Sequence, residues 1–242
     1  MWTHNDSGDD PVIYCIRAMG RPCGAWRLTG ASAFDWEDIA WGPGPGTGYL
    51  YVGDIGDNLR VRSEIVIYRV PEPEVSDVAG PGLFETAPSE ALRFTYPGAP
   101  RDAETLLVDP ITDELYVITK EVGGRGVVFR SRDHRPGSLT VLERVGRLRP
   151  QGLLPGPTGG DISFDGRWVV LATYGGAQEA QRPSDGSLER PFWAGSWARF
   201  DPGRALQREA IAYDTTGMAV ISTSEGVAAP ISRVQRRSSR GN

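Results

Sequence analysis

The sequence predicts an all-β protein folded as a single β-propeller. Three observations carry that prediction. Short β-rich runs separated by Gly, Pro, Asp and Asn fill the chain, and no long stretch repeats apolar residues at helical spacing. Glycine and proline are abundant, 31 and 19 residues, and sit between the apolar runs, where they mark turns rather than disorder. One pattern (acidic start, apolar strand, turn, apolar strand ending in a polar group) recurs roughly every 50 to 65 residues, close to the length of a four-stranded blade. A β-sandwich would not explain why acids return at the same position of each unit.

The chain opens with Trp2-Thr3-His4-Asn5-Asp6, which matches the second strand of a unit. The first blade is therefore expected to lack its innermost strand, and the given start to lie inside a longer domain. A lost leader, and with it an extracytoplasmic location, would fit that expectation; no signal peptide is recognisable in the given residues. Cys15 and Cys23 flank a turn around Met19-Gly20. They can form a disulfide only if the register makes them cross-strand neighbours, and are otherwise two free thiols.

The first full unit reads Asp35-Trp36-Glu37-Asp38-Ile39-Ala40-Trp41, a Gly/Pro turn from Gly42 to Gly48, and Leu50-Tyr51-Val52-Gly53-Asp54-Ile55-Gly56-Asp57-Asn58. Three later stretches align with its first strand: Glu104-Thr105-Leu106-Leu107, Gly160-Asp161-Ile162-Ser163 and Glu209-Ala210-Ile211-Ala212. Their second strands end in Lys120-Glu121, Tyr174 and Ser224-Glu225. Five blades fit this count, or six if the stretch Ser76 to Pro100 hides a degenerate one. The pattern is weakest from Gln178 to Gln207, read as a long loop with an irregular outer strand. Trp193 and Trp197 in it either cover an apolar edge or line a ligand mouth. Residues 1–235 are taken as the one domain and 236–242 as a disordered basic tail, because the arginines from Arg233 to Arg240 are mixed with serine and glycine.

In a propeller the innermost strands run the same way, so their starts meet at one face. Glu37, Asp38, Glu104, Asp161 and Glu209 should then ring one mouth of the channel. Asn5, Asp6, Asp54, Asp57, Asn58, Lys120, Glu121, Tyr174 and Glu225 should surround them, with Asp102 just before its inner strand. Oxygen ligands in such excess over positive charge suit a hard divalent cation, calcium first. The expected ligands are Glu37, Asp38, Asp54, Asp57, Asn58, Glu104, Asp161, Glu209 and Glu225. The structural alternative is that these acids bond to strand starts and turns of neighbouring blades. Glu37, Asp38, Glu104, Lys120 and Glu209 are the candidate catalytic groups. Lys120 is the only lysine in the chain, and its plainest role is to compensate the carboxylates around it.

The glutamate-led strands Glu37-Asp38-Ile39-Ala40 and Glu209-Ala210-Ile211-Ala212 resemble the "EGIA"-type strands of gluconolactonase-like and strictosidine-synthase-like propellers, and those of esterase-like phytase propellers. The whole sequence resembles propeller proteins of high-GC bacteria with a DWEDIA … GDIGDN pattern, a likeness that implies a fold rather than a reaction. In the gluconolactonase-like and related families, channel-facing acids and an asparagine commonly hold one divalent metal, and many members hydrolyse lactones or phosphate esters. The resemblance therefore implies a metal-dependent hydrolase of a small ester, lactone or phosphate ester, or else a non-catalytic ligand- or protein-binding propeller or an inactive truncated copy. This chain departs from the pattern in two ways. The glycine after the glutamate is replaced by Asp38, Thr105 or Ala210, and the third unit starts Gly160-Asp161 without a glutamate.

Other chemistries lack their residues. There is no G-x-S-x-G elbow and no phosphate-binding glycine loop before a helix. His4 and His134 are the only histidines, too few for a typical zinc site without spaced cysteines. A formal net charge of −5 argues against general nucleic-acid binding, and no run of about 20 apolar residues is present to span a membrane. A monomer with a small-molecule ligand or substrate on the acidic face is expected.

Overall fold

The computed structural model describes residues 1–6, 8–17, 20–75, 82–123, 125–148, 156–194, 197–203, 207–226 and 228–236. They form five β-sheets that stand as the blades of a propeller, with one six-residue helix. Blade one begins with β1 (Trp2–His4), β2 (Val12–Ile16) and β3 (Pro22–Arg27), and blade two with β4 (Trp36–Gly42), β5 (Tyr49–Asp54) and β6 (Ile65–Pro71). The chain then returns to blade one as β7 (Leu83–Glu85), parallel to β3, before β8 (Glu90–Thr95) extends blade two. Blade three follows as β9 (Ala103–Val108), β10 (Leu115–Thr119) and β11 (Val127–Ser131). Next, β12 (Leu139–Val141) crosses back to lie parallel to β8, and β13 (Glu143–Arg147) closes blade three. Blade four is β14 (Gly159–Ile162), β15 (Trp168–Thr173), β16 (Gly176–Gln181) and, after α1 (Glu189–Ala194), β17 (Ala198–Phe200). Blade five is β18 (Arg208–Tyr213), β19 (Ala219–Ser224) and β20 (Ser232–Gln235).

Alternation along these strands buries one apolar face of each sheet against the next. Blades one and two share Trp36, Leu50, Val52 and Tyr68, among others. Blades two and three share Tyr51, Ile67, Phe94, Leu106 and Phe129. Leu107, Tyr116, Val128, Ile162 and Leu171 join blades three and four, and Val170, Ile211, Tyr213 and Val220 join four and five. Between blades five and one lies a cleft of about 640 Å³ instead, lined by β1 on one side and β18 and β19 on the other.

The five blades are as expected; the alternative of a sixth within Ser76 to Pro100 is not found among the described residues, because β7 and β8 join blades one and two, and residues 76–81 lie outside the description. Cys15 and Cys23 form a disulfide, with Cα atoms 5.1 Å apart, at a register shift of the β2–β3 ladder. The stretch from Gln178, read as a long loop with an irregular outer strand, contains the end of β16, α1 and β17, the last pairing with β16 at the outer edge of blade four. In it Phe192 is buried against Tyr116, and Trp197 donates to the Pro191 carbonyl and packs on the same cluster, so Trp197 covers an apolar edge. The Trp193 side chain lies outside the description. Arg233 lies on β20 and pairs with Asp214, while Arg236 pairs with Glu179 and stacks 3.8 Å over the Trp168 ring. Residues 237–242 are outside the description.

Candidate functional site at the acidic mouth

Three of the four aligned units place a glutamate at a β-bulge. In β4 the register against β5 shifts between Trp36 and Asp38, so Glu37 is the extra residue. In β9 the ladder passes from Ala103 to Thr105 and skips Glu104; in β18 it passes from Arg208 to Ala210 and skips Glu209. A bulge frees one residue from the ladder and re-aims its side chain. Blade four has Gly160 at the equivalent position and pairs there without a shift.

The residue after each bulge turns the other way, as strand alternation requires. Asp38 is buried and accepts hydrogen bonds from the amides of Ile39, Leu106 and Gly160 (2.9, 2.9 and 3.3 Å), tying the inner strands of blades two, three and four together. Burial pushes its pKa well up and these bonds oppose the shift. Asp161 accepts from Ile162 and Tyr213 (both 2.8 Å) and so ties blade four to blade five. Both acids thus bond to backbone amides of their own and neighbouring inner strands. Asp54 accepts from the Phe34 and Asp35 amides and pairs with Arg62 at 2.7 Å. Asp57 accepts from the Val61 and Arg62 amides and holds the β5–β6 loop. Asn58 is exposed, and Asn5 donates to Asp9 and Tyr14. Excess carboxylate was read from sequence as ligand capacity; at Asp38, Asp54, Asp57 and Asp161 backbone amides use that capacity.

The remaining acids do converge. Carboxylate oxygens of Asp6, Asp35 and Glu37 all lie within 4.8 Å of one another. Asp35 is two residues before Glu37, and Gly56 packs directly against both: a Cβ there would overlap Glu37 Oε1 and Asp35 Oδ2. Burial, with Glu104, Asp35 and Asp6 adding repulsion, pushes the Glu37 carboxyl up to about 10. Burial and Asp6 also raise Asp35. Glu225 is raised first by its hydrogen bond with Asp6. Asp102 accepts from the Asp57 amide at 3.0 Å and adds its charge near Glu37 and Glu104.

On the opposite side of the mouth Lys120 donates to Glu104 Oε1 and to the Tyr174 hydroxyl, the latter at 3.0 Å. Burial disfavours its charge, but these two bonds outweigh burial and hold its pKa above the ordinary lysine value. Glu104 is 4% exposed, and its second oxygen, Oε2, is buried without a hydrogen-bond partner. Burial raises Glu104 and Lys120 opposes, leaving it at about 7. Glu209 also stands at about 7, raised by burial and opposed by Lys120 and Tyr174. Glu121 faces Arg101 and the β10–β11 turn.

The mouth therefore combines a compact oxygen set, Asp6–Asp35–Glu37, with two carboxyls poised near neutrality around one ammonium and one phenol. The sequence reading passed over Asp35 as a ligand, although its place two positions before a mouth-facing glutamate, just ahead of β4, was the available signal.

No family model matches the chain, and none of the curated proteins matches it. Solved structures similar to it include a gluconolactonase of Xanthomonas campestris described as important in glucose secondary metabolic pathways. It is 16% identical over 93% of this chain and 66% of that one, with a TM-score of 0.49, so the present chain spans just under two thirds of its length. A Bacteroides uniformis protein with a provisional 6-phosphogluconolactonase name is 10% identical over 97% of this chain and 77% of that one, with a TM-score of 0.48. The β-propeller domain of Cps50 (Swd1) from Myceliophteria thermophila is 12% identical over 96% and 86%, with a TM-score of 0.46. At these identities the likeness is one of fold.

Proposed function

We propose that the acidic mouth binds a divalent cation, calcium by preference, and that with it the protein hydrolyses a small ester, lactone or phosphate ester. The observation that carries the reading is the convergence of carboxylate oxygens of Asp6, Asp35 and Glu37 within 4.8 Å. Arg62 is engaged with Asp54 and the Gly56 carbonyl, and Lys120 with Glu104 and Tyr174. Like charges held this close favour either protons or a cation, and a flexible all-oxygen set suits calcium. Asp35 and Glu37 would hold the ion, with Asp6 closing the set; its chemical contribution is to polarise the oxygen of the substrate's electrophilic group.

The chain's own groups supply the rest. Glu104 and Glu209, near 7, match the range in which a carboxylate can take a proton from an attacking water at neutral pH. Lys120 stays charged and can stabilise negative charge that develops beside Glu104, while Tyr174 fixes its position. The cleft beside Glu37, Glu209 and Glu225 gives a small substrate room.

A non-catalytic binding propeller is the second reading, favoured by the Lys120–Glu104 pair, which already neutralises one wall of the mouth. Calorimetry with calcium, repeated on Glu37→Gln, tests the cation. Calcium at 100 times its dissociation constant should stabilise the native state by about 2.7 kcal/mol. No heat and no shift in melting would remove the reading. Release of acid from a lactone or ester panel that depends on calcium and on Glu104 separates hydrolase from binding module.

A further inference from the structure

The four most exposed large apolar side chains among the described residues stand on one face of the propeller. Leu59, Val122, Val61 and Phe34 are 82%, 80%, 72% and 68% exposed, and no other exceeds 62%. Leu59 and Val61 lie on the loop after β5, Val122 on the turn after β10, and Phe34 just before β4. Second strands end and inner strands begin on the mouth side, so all four belong to that side, on the adjacent blades two and three, which have five and four strands. The loop after β5 is held in place. Asp57 accepts from the Val61 and Arg62 amides at 2.9 and 2.8 Å, its carbonyl accepts from the Arg60 amide, and Arg60 turns through the left-handed region at φ 55°. A non-glycine residue takes that conformation at a cost. Arg62 links the loop to Phe34, its guanidinium 4.9 Å from the ring centre. Two arginines are interleaved with the apolar tips and are exposed: Arg60 between Leu59 and Val61, and Arg125 at the far end of the turn that carries Val122.

We propose that these tips dock the mouth side of blades two and three on a lipid bilayer with anionic headgroups. Side chains this exposed touch little of their own protein and do not wall a pocket for a small molecule. Held on a fixed loop, they suit the soft apolar layer just beneath the headgroups. Arg60 and Arg125 supply the matching charge: their aliphatic stems can lie beside the apolar tips while the guanidinium groups stay among anionic headgroups. The acids of the mouth oppose this little. Glu104 is buried against Lys120, and the exposed Asp6 and Glu225 belong to blades one and five. The inference rests neither on the cation nor on hydrolysis, so its test is run in chelator.

Vesicles of phosphatidylcholine, with and without phosphatidylserine, are sedimented with the protein. The mixed vesicles should bind it more tightly than phosphatidylcholine alone. The double variant Leu59→Ser, Val61→Ser should weaken binding about tenfold or more, as expected for two inserted apolar side chains, and should melt like the parent because both residues are exposed. Ile111→Ser, in the β9–β10 turn on the opposite face, should bind like the parent. No binding to the mixed vesicles, equal binding to phosphatidylcholine alone, or undiminished binding by the double variant would overturn the proposal. So would a loss in Ile111→Ser as large as in the double variant. Self-association without vesicles that the double variant abolishes would also overturn it, and would assign the tips to a second copy.

Discussion

Lys120 binds Glu104 through Oε1 alone, and Glu104 Oε2 is left buried with no hydrogen-bond partner. The pair is thus half of a site: one oxygen is neutralised and the other is not. Removal of the ammonium should force Glu104 to take up a proton or lose its burial. Lys120→Met is expected to cost about 2 kcal/mol, below the range for a fully buried pair because Lys120 is 19% exposed. Lys120→Arg should recover only part of this, since a planar guanidinium does not replace a compact ammonium. Urea denaturation reads both. If Lys120→Met also tightens calcium binding, the lysine competes with the ion, and the binding-module reading gains.

The pH dependence of the metal-free protein follows from the same carboxyls. Glu104 is raised from 4.5 to about 7, and Glu37 to about 10. A carboxyl raised in the folded state contributes its stability in full below the unfolded pKa and loses it as pH rises through the folded value. Stability should therefore fall from pH 5 toward pH 8, by at most about 3 kcal/mol from Glu104. Calcium, which favours the ionised forms, should flatten or reverse the slope. Melting curves from pH 5 to 8 with chelator and with calcium check this; an upward slope in chelator would contradict the assignment.

Asp38 should behave as a scaffold residue. Asp38→Ala leaves three buried amides without an acceptor and should cost about 3 to 5 kcal/mol. Asp38→Asn keeps one acceptor oxygen and should cost less. Variants that still fold should bind calcium like the parent, and a large loss of affinity at full stability would return Asp38 to the ligand set.

Gly56→Ala should do the reverse. Its Cβ overlaps the facing oxygens of Glu37 and Asp35, so both must move. Calcium affinity should drop by about tenfold or more, because a distorted set of ligands loses geometry as well as charge. A calorimetric titration beside a melting curve separates this from general destabilisation.

Reduction of Cys15–Cys23 should destabilise the protein by about 2.5 kcal/mol, the loop entropy for a separation of 8 residues. Denaturation with and without reductant measures it.

The hairpins of the inner strands were legible because each couples an acid at its start to period-two apolar residues, as in Glu37-Asp38-Ile39-Ala40. The same alternation held the information that separates Glu37 from Asp38, since neighbours on a strand face opposite ways. Treating both as ring members ignored it. Asp54 and Asp57 were not separable in this way: whether a loop carboxylate faces a cavity or its own backbone depends on the path of residues such as Val61 and Arg62, which no local pattern fixes. β7 and β12 were also hidden. Each is three residues long and pairs with a strand of a preceding blade, a non-local choice that leaves little trace in the segment itself.

Those two crossovers bear on how such a fold can be rearranged. β7 covers the outer edge of blade one although it follows the third strand of blade two, and β12 does the same for blade two from within blade three. A cut between consecutive blades therefore removes a border strand from the sheet left behind. Blades one to three behave like overlapping shingles: they cannot be deleted, duplicated or swapped one at a time without stripping a neighbour, and any recombination that preserves the fold must take its junctions inside blades rather than between them.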